Sequence, residues 1–263
     1  MSMRVASYNH MFGCNGRSLP EFLYVHALHK AKRYDGVERR ADLSRTAHTV
    51  EVANADVIAI TEVLGEKQRL KLIEVLKPQG YQSFHVGRGH GLGQKYGGSV
   101  ETLLATRMPS DSVYTPNFCV PDQLGYGGGI VGIHLPAYHL YVVQVHLPLC
   151  KGRTEDSFRE QVQSVLDEVK KLRDESNDSK IVIMGDFNCS HTDLVQLYPD
   201  FSEFQKLSSD MATCSTTNLL RWFYRKDLDH VLGIGLEVER AGVLEGISDH
   251  KLVWVDLKEE SLG

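Results

Sequence analysis

"IVIMGDFNCS", residues 181–190, is the stretch on which the reading turns: four apolar residues, a glycine, then Asp186, Phe187 and Asn188. The apolar run reads as a buried strand, yet it ends in a carboxylate and, two positions on, a carboxamide. Outward from it the same device recurs. "RVASYN" (4–9) ends in Asn9, and "DVIAIT" (56–61) is followed at once by Glu62. "HLYVVQVHLP" (139–148) carries His146 near its end. "LDHVLGIGLEVERAGVL" (228–244) reads as two strands opening at Asp229, and "HKLVWVDL" (250–257) begins beside Asp249 and His250. Burying such groups one by one costs roughly 2–7 kcal/mol each, so the repetition points to one assembled site. Each has an ordinary reading alone: a turn former in Asn9, a helix-start acid in Glu62, a satisfied core histidine in His146, an Asx-turn in Asp186 and Asn188. Their coincidence at strand ends argues against all of those holding together.

Helical periodicity lies between the strands. Leu43, Ala47 and Val50 share a face, and Phe158, Val162, Val165, Leu166, Val169 and Leu172 form an amphipathic stripe. Strands apolar on both faces, alternating with helices, predict α/β layering with helix-covered sheets. No linker or composition shift breaks the chain, so residues 1–263 are read as a single domain. Of the 263 residues, 42% are hydrophobic and 24% charged, which excludes disorder; the net charge of −5 supplies no global positive field for nucleic acid. An anionic substrate must then be held by local basic groups or a metal. The cysteines number 5, without a C-x-x-C pair, so neither a disulfide framework nor a zinc knuckle is expected and a reducing cytoplasmic setting is. No signal-peptide pattern opens the sequence, and no apolar run approaches the ~20 residues of a membrane span.

Six pieces in order, "ASYN", "AITEV", "VQVHLP", "IMGDFN", "LDHV" and "ISDH", resemble the endonuclease/exonuclease/phosphatase superfamily, whose members include DNase I, abasic-site endonucleases, deadenylases, tyrosyl-DNA phosphodiesterase and neutral sphingomyelinases. "GDFN" followed by a distant "SDH" is the specific part. The resemblance implies a four-layer α/β/β/α sandwich of two mixed sheets with the site on top, and divalent-metal-dependent cleavage of a phosphoester. It implies Mg²⁺, with Mn²⁺ as a substitute, held by Glu62 and completed or oriented by Asn9 and Asp249. It implies a catalytic set of His146, Asp186, Asn188, Asp229 and His250. In that set Asp186 orients and deprotonates water, Asn188 and His146 donate to the phosphate, and Asp229 fixes the His250 tautomer. Asp186 and His250 both qualify as the base.

Departures from individual members bear on substrate. Histidine at 146, in "VHLP", is similar to the DNase I, deadenylase and sphingomyelinase branches, as is the R-x-x-Q helix "FREQ" (158–161), which offers Arg159 to substrate. Glu101 is a candidate partner for His146, or else an exposed strand acid. "VHALHKAKRYDGVERR" (25–40) reads as a solvated basic helix face, and "HVGRGHGLGQKYGGS" (85–99) as a rim loop without a phosphate-loop template. "LLRWFYRKDLDHV" (219–231) sets Arg221, Trp222, Tyr224 and Arg225 just before Asp229, a basic and aromatic alternation suited to stacking on bases and pairing with phosphates. Nucleic acid is therefore the expected substrate. A phospholipid head-group or phosphomonoester hydrolase is the alternative, followed by an inactive binding module.

Overall fold

The computed structural model of the chain describes residues 2–16, 18–30, 36–37, 39–89, 100–116, 129–150, 152, 154–175, 180–209, 211, 213–215, 225–259 and 262. In chain order the first strands are β1 (Met3–Asn9), β2 (Val57–Leu64), β3 (Ser83–Arg88), β4 (Val100–Thr106), β5 (Asp111–Tyr114), β6 (Gly129–Leu135) and β7 (Leu140–His146). They continue with β8 (Lys180–Asp186), β9 (Gln205–Lys206), β10 (Cys214–Ser215), β11 (Arg225–Lys226), β12 (Asp229–Ile234), β13 (Val238–Leu244) and β14 (Leu252–Leu257). The helices are α1 (Leu19–Lys30), α2 (Leu43–Ala53), α3 (Gly65–Leu76), α4 (Glu155–Glu175) and α5 (His191–Leu197).

Two mixed six-stranded sheets, ordered β13-β14-β1-β2-β4-β3 and β5-β6-β7-β8-β12-β9, face each other. Alternation along each strand builds the layers. On β1, Val5 points into the seam between the sheets, where it meets Val57, Val142, Met184 and Val231, while Ala6 and Tyr8 point outward under Val50, Ala53 and Leu72 of α2 and α3. On β8, Val182 and Met184 face the seam, and Ile181 and Ile183 pack outward with Phe158, Val162, Val165 and Val169 of α4. Both sheet faces are thus covered, which is why these strands read as unbroken apolar runs. Each large aliphatic side chain fully buried this way contributes about 1.5–3 kcal/mol.

Topology gathers the strand ends. β1 runs parallel to β2 and β7 parallel to β8, so all their C-terminal ends emerge at one edge. β12 is antiparallel to β8 and β14 antiparallel to β1, so these two begin at that same edge. Two expectations change in detail. The strand expected to stop at 61 continues to Leu64, and the stretch expected as a rim loop from 85 starts inside β3, which pairs with β4 through Arg88. Residues 90–99 lie outside the described set. Among the described residues no helix is long and apolar enough to cross a membrane, and Cys14, Cys150, Cys189 and Cys214 are free thiols.

Candidate active site

Register brings the polar residues together before any side chain is considered. Asp186 pairs across β8 with His146 on one side and Asp229 on the other. Gly185 makes that possible. Its φ is +148°, and a Cβ there would stand 1.8 Å from the Val145 carbonyl oxygen, so only glycine lets β7 close on β8 just before Asp186. Asn188 then turns at φ +48°, a left-handed position that asparagine tolerates.

A bulge aims the other carboxylate. β2 pairs with β4 at Ile60–Leu103 and next at Val63–Glu101, so two residues of β2 stand opposite one, and the extra residue, Glu62, has φ +59°. Bulges of this kind re-aim side chains next to functional sites. A non-glycine residue held at positive φ carries roughly 1–2 kcal/mol of backbone strain, which the surrounding structure has to offset.

Hydrogen bonds link the two sheets at this edge. Asn9 Nδ2 donates to Glu62 Oε1 at 3.1 Å and to Asp186 Oδ2 at 2.9 Å, while its Oδ1 accepts from the Met11 N–H at 3.1 Å. Asn9, expected to complete or orient the metal shell, thus clamps two carboxylates through its amide protons, while its Oδ1, with one N–H accepted, keeps a second lone pair. Asp186 Oδ1 accepts from the Asn188 N–H at 2.8 Å, and Asn188 spends one amide proton on the Leu147 carbonyl at 2.8 Å. His146 Nε2 lies 4.0 Å from Glu62 Oε1 and 3.9 Å from Asp186 Oδ2. His250 Nδ1 sits 2.7 Å from Asp229 Oδ2, an arrangement in which a proton on Nδ1 is donated to the carboxylate. Ser248 Oγ donates to Asp249 Oδ1 at 3.1 Å and accepts from the His250 N–H at 3.1 Å.

Electrostatics follow from burial and crowding. Burial first, then the neighbouring Asp249 charge, raises Glu62 to about 7. Burial, then Asp229, raises Asp186. Burial lowers His146 to about 4, with the attraction of Asp186 opposing. For His250 burial works against the charged ring, but Asp229 outweighs it by charge and hydrogen bond and raises it well above the usual histidine range. Carboxylates held against their own charge at a strand mouth, together with the buried Asp229 Oδ1 that has no hydrogen-bond partner among the described residues, fit a site that receives a cation. The oxygen donors Glu62 and Asp249 suit a hard divalent ion such as Mg²⁺. Groups of three donor residues within 4.8 Å of one another are Asp186–Asp229–His250 and Cys214–Asp249–His250.

The remaining expected residues lie elsewhere. Arg159 is exposed on α4 and pairs with Glu155 one turn away. Arg221, Trp222 and Tyr224 fall outside the described residues, and only the backbone of Arg225 is described. Glu101 is buried, and its carboxylate accepts from Arg69 of α3 at 2.8 Å. Several supporting residues carry no strong sequence signal. Tyr8 Oη accepts from the Ser248 N–H, Thr213 Oγ1 accepts from the Asp229 N–H, and Cys214 forms a backbone bridge to His250. Gly16 allows its loop to press on Asp249, whose backbone N would lie 2.3 Å from any Cβ there. Only the serine of "SDH" was open to a reader of sequence, as a short side chain able to cap the turn.

The sequence matches the family model described as Endonuclease/Exonuclease/phosphatase family over residues 7–250. No curated protein matches it. Among solved structures, an endonuclease/exonuclease/phosphatase from Beutenbergia cavernae superposes with a TM-score of 0.71 at 18% identity, covering 98% of this chain and 71% of that one. A family protein from Leptotrichia buccalis gives 0.64 at 19% identity, with 97% and 99% covered. D. rerio TDP2 complexed with single strand DNA product gives 0.62 at 13% identity, with 98% and 99% covered. At such identities the likeness carries the fold alone.

Proposed function

The chain belongs to the endonuclease/exonuclease/phosphatase family, and from that premise we propose that its strand-mouth site hydrolyses phosphodiester bonds of nucleic acid with a divalent metal. The observation that carries this reading is the pairing of His250 Nδ1 with Asp229 Oδ2 at 2.7 Å beside Asp186, which its register pairs with Asp229. Glu62 and Asp249 are the residues that would hold the ion. An ion such as Mg²⁺ bound there would supply Lewis-acid polarisation of a phosphoryl oxygen and offset developing charge.

The chain's own groups divide the remaining work. Asp186 is fixed through both oxygens, by Asn9 and by the Asn188 N–H, and its raised pKa brings it closer to the proton affinity a base needs near neutrality. His250, held charged by Asp229, is a poor base and a strong donor to a non-bridging phosphoryl oxygen. His146 stays neutral and offers a ring N–H from its Nε2 side, which faces Glu62 and Asp186. The second amide proton of Asn188 is the further donor to the phosphate. Preorganised donors of this kind are worth about 3 kcal/mol each in the transition state.

Nucleic acid is favoured by "RWFYRK" (221–226), which immediately precedes the Asp229 strand, and by the single-stranded DNA product in the TDP2 complex. The test is an incubation of the protein with Mg²⁺ or Mn²⁺ against single- and double-stranded DNA, RNA, sphingomyelin and bis(p-nitrophenyl) phosphate. Cleavage of nucleic acid that EDTA and Asp186→Asn abolish is the expected result. Full activity in EDTA would remove the metal, and turnover of sphingomyelin alone would transfer the site to phospholipid head groups.

A further inference from the structure

Cys214 takes no part in the chemistry above, yet it stands against it. Its backbone bridges to His250. Its Sγ, a carboxylate oxygen of Asp249 and a ring nitrogen of His250 all lie within 4.8 Å of one another. The scaffold under them is stitched from three directions. The Thr213 N–H donates to the Lys226 carbonyl, the Lys251 N–H donates to the Thr213 carbonyl at 2.7 Å, and Thr213 Oγ1 accepts from the Leu228 and Asp229 N–H groups at 3.0 Å. Residues 213, 214, 249 and 250 are thus held as one unit.

The geometry points to a second cation site here: Cys214, Asp249 and His250 together form a three-ligand site for a zinc-type divalent ion, and its occupation switches the phosphoester site off. The donor set is the first argument. Thiolate, imidazole and one carboxylate suit zinc, whereas Mg²⁺ requires oxygen ligands and would leave the sulfur unused. The second argument is the orientation of His250. With Nδ1 engaged by Asp229 at 2.7 Å, Nε2 is the nitrogen left to ligate, and a histidine that gives its other ring N–H to a carboxylate is the usual metal-binding arrangement. Reach is the third. Ligand atoms on a tetrahedral zinc are roughly 3–4 Å apart at bond lengths of about 2.0–2.3 Å, so the present spacing, within 4.8 Å, has to close by only about 1 Å. Asp249 has Oδ1 occupied by Ser248, which leaves Oδ2 for the ion. Cys214 and Asp249 are only partly buried, so the ion has a way in.

Inhibition follows because the site borrows from the phosphoester machinery. A second ion drawing on Asp249 competes with Mg²⁺ for its carboxylate, and His250 with a ligated Nε2 no longer donates to phosphate. This consequence rests on the phosphodiesterase reading; the existence of the site does not.

The test uses the reduced, metal-free full chain titrated with Co²⁺ as a spectroscopic stand-in for zinc. Expected are intense visible bands of tetrahedral cobalt with a near-ultraviolet thiolate-to-cobalt band, both displaced by stoichiometric Zn²⁺. Cys214→Ser should lose the near-ultraviolet band and weaken Zn²⁺ binding by at least the about 10-fold that disturbing even an outer-shell partner costs. Cys214→Ala supplies a replacement without a hydroxyl, and thermal unfolding verifies that either variant is folded. A wild-type protein lacking the band, or a band that persists without Cys214, overturns the site. In a second arm Zn²⁺ should inhibit Mg²⁺-supported hydrolysis of bis(p-nitrophenyl) phosphate, with Cys214→Ser requiring about 10-fold more Zn²⁺, in step with its weaker binding. Equal inhibition of both proteins overturns the switch. Absence of any hydrolysis would instead count against the phosphodiesterase reading, while the cobalt spectrum still decides the site.

Discussion

Glu62 stands at φ +59° with its carboxylate raised to about 7 by burial and by Asp249, so both its backbone and its charge oppose the arrangement in the metal-free protein. The sign of its linkage follows. A carboxylate whose folded pKa exceeds its unfolded value stabilises the fold fully below about 4.5, and that contribution is lost as pH rises through about 7. Metal-free wild type should therefore lose thermal stability across this window, and Glu62→Gln, which has no proton to release, should flatten the loss. Mg²⁺ at pH 8 should raise the Tm of wild type by binding only the folded state, and should do little for Glu62→Gln. Identical Tm–pH curves for the two proteins would contradict this account. His250 and Asp229 carry the opposite test. Asp229 is what keeps His250 charged above its usual range, so Asp229→Asn should move the alkaline limb of kcat/KM to lower pH and reduce kcat by roughly 10²–10⁴-fold. An unmoved alkaline limb would mean that His250 titrates outside the reaction.

At the scale of elements, the closing of β7 on β8 is the most exacting contact in the site, because the two strands that carry His146 and Asp186 touch through Gly185. Gly185→Ala forces its Cβ against the Val145 carbonyl, so it should cost on the order of 3 kcal/mol or more and lower activity in parallel. Chemical denaturation together with turnover checks it; an alanine variant of wild-type stability would show that the strands can part freely. This glycine is visible in the sequence as the G of "GDFN", but its reason is not, since a cross-strand approach depends on a partner far along the chain. The strand mouths themselves were legible because β1, β2, β7 and β8 are buried on both faces and read as apolar runs ending in polar groups. The edges of the sheets were not. β5 is four residues, "DSVY", the first three of them exposed, and β3 is only partly buried, so neither presents a pattern that separates it from loop. α1 lacks an apolar stripe, and only its last residues, 25–30, fall within the stretch that was read as a basic helix face. The bulge at Glu62 depends on pairing with β4 rather than on local residues, which is why the strand was expected to end at 61.

The proposed site divides into two half-sites, one on each sheet: Asn9, Glu62, Asp249 and His250 at the mouth of the first, His146, Asp186, Asn188 and Asp229 at the mouth of the second. Their spacing depends on how rigidly the sheets face each other. Apolar packing in the seam is nearly uniform and sets the distance between sheets without fixing their slide. The directional contacts are polar. Near the site they include the Asn9 clamp, the Asp229–His250 pair and Gln144, whose Nε2 on β7 donates to the Ile60 carbonyl of β2 at 3.0 Å. Ile60 is the last residue in register before the Glu62 bulge, so this bond ties the bulge to the strand that bears His146. A buried glutamine in a strand gives no hint of this in sequence, where it reads as an interruption of the apolar run. Gln144→Leu tests the coupling. It removes one hydrogen bond to the Ile60 carbonyl, but also removes the buried Gln144 Oε1, which has no hydrogen-bond partner among the described residues, so the net change in stability should be small. Turnover should fall further than stability does, with kcat reduced and KM little changed, because only the relative position of the half-sites in the transition state is disturbed. A variant with wild-type kcat would show that the sheets keep their alignment without this bond, and the Asn9 clamp and the Asp229–His250 pair would then have to supply it at the mouth itself.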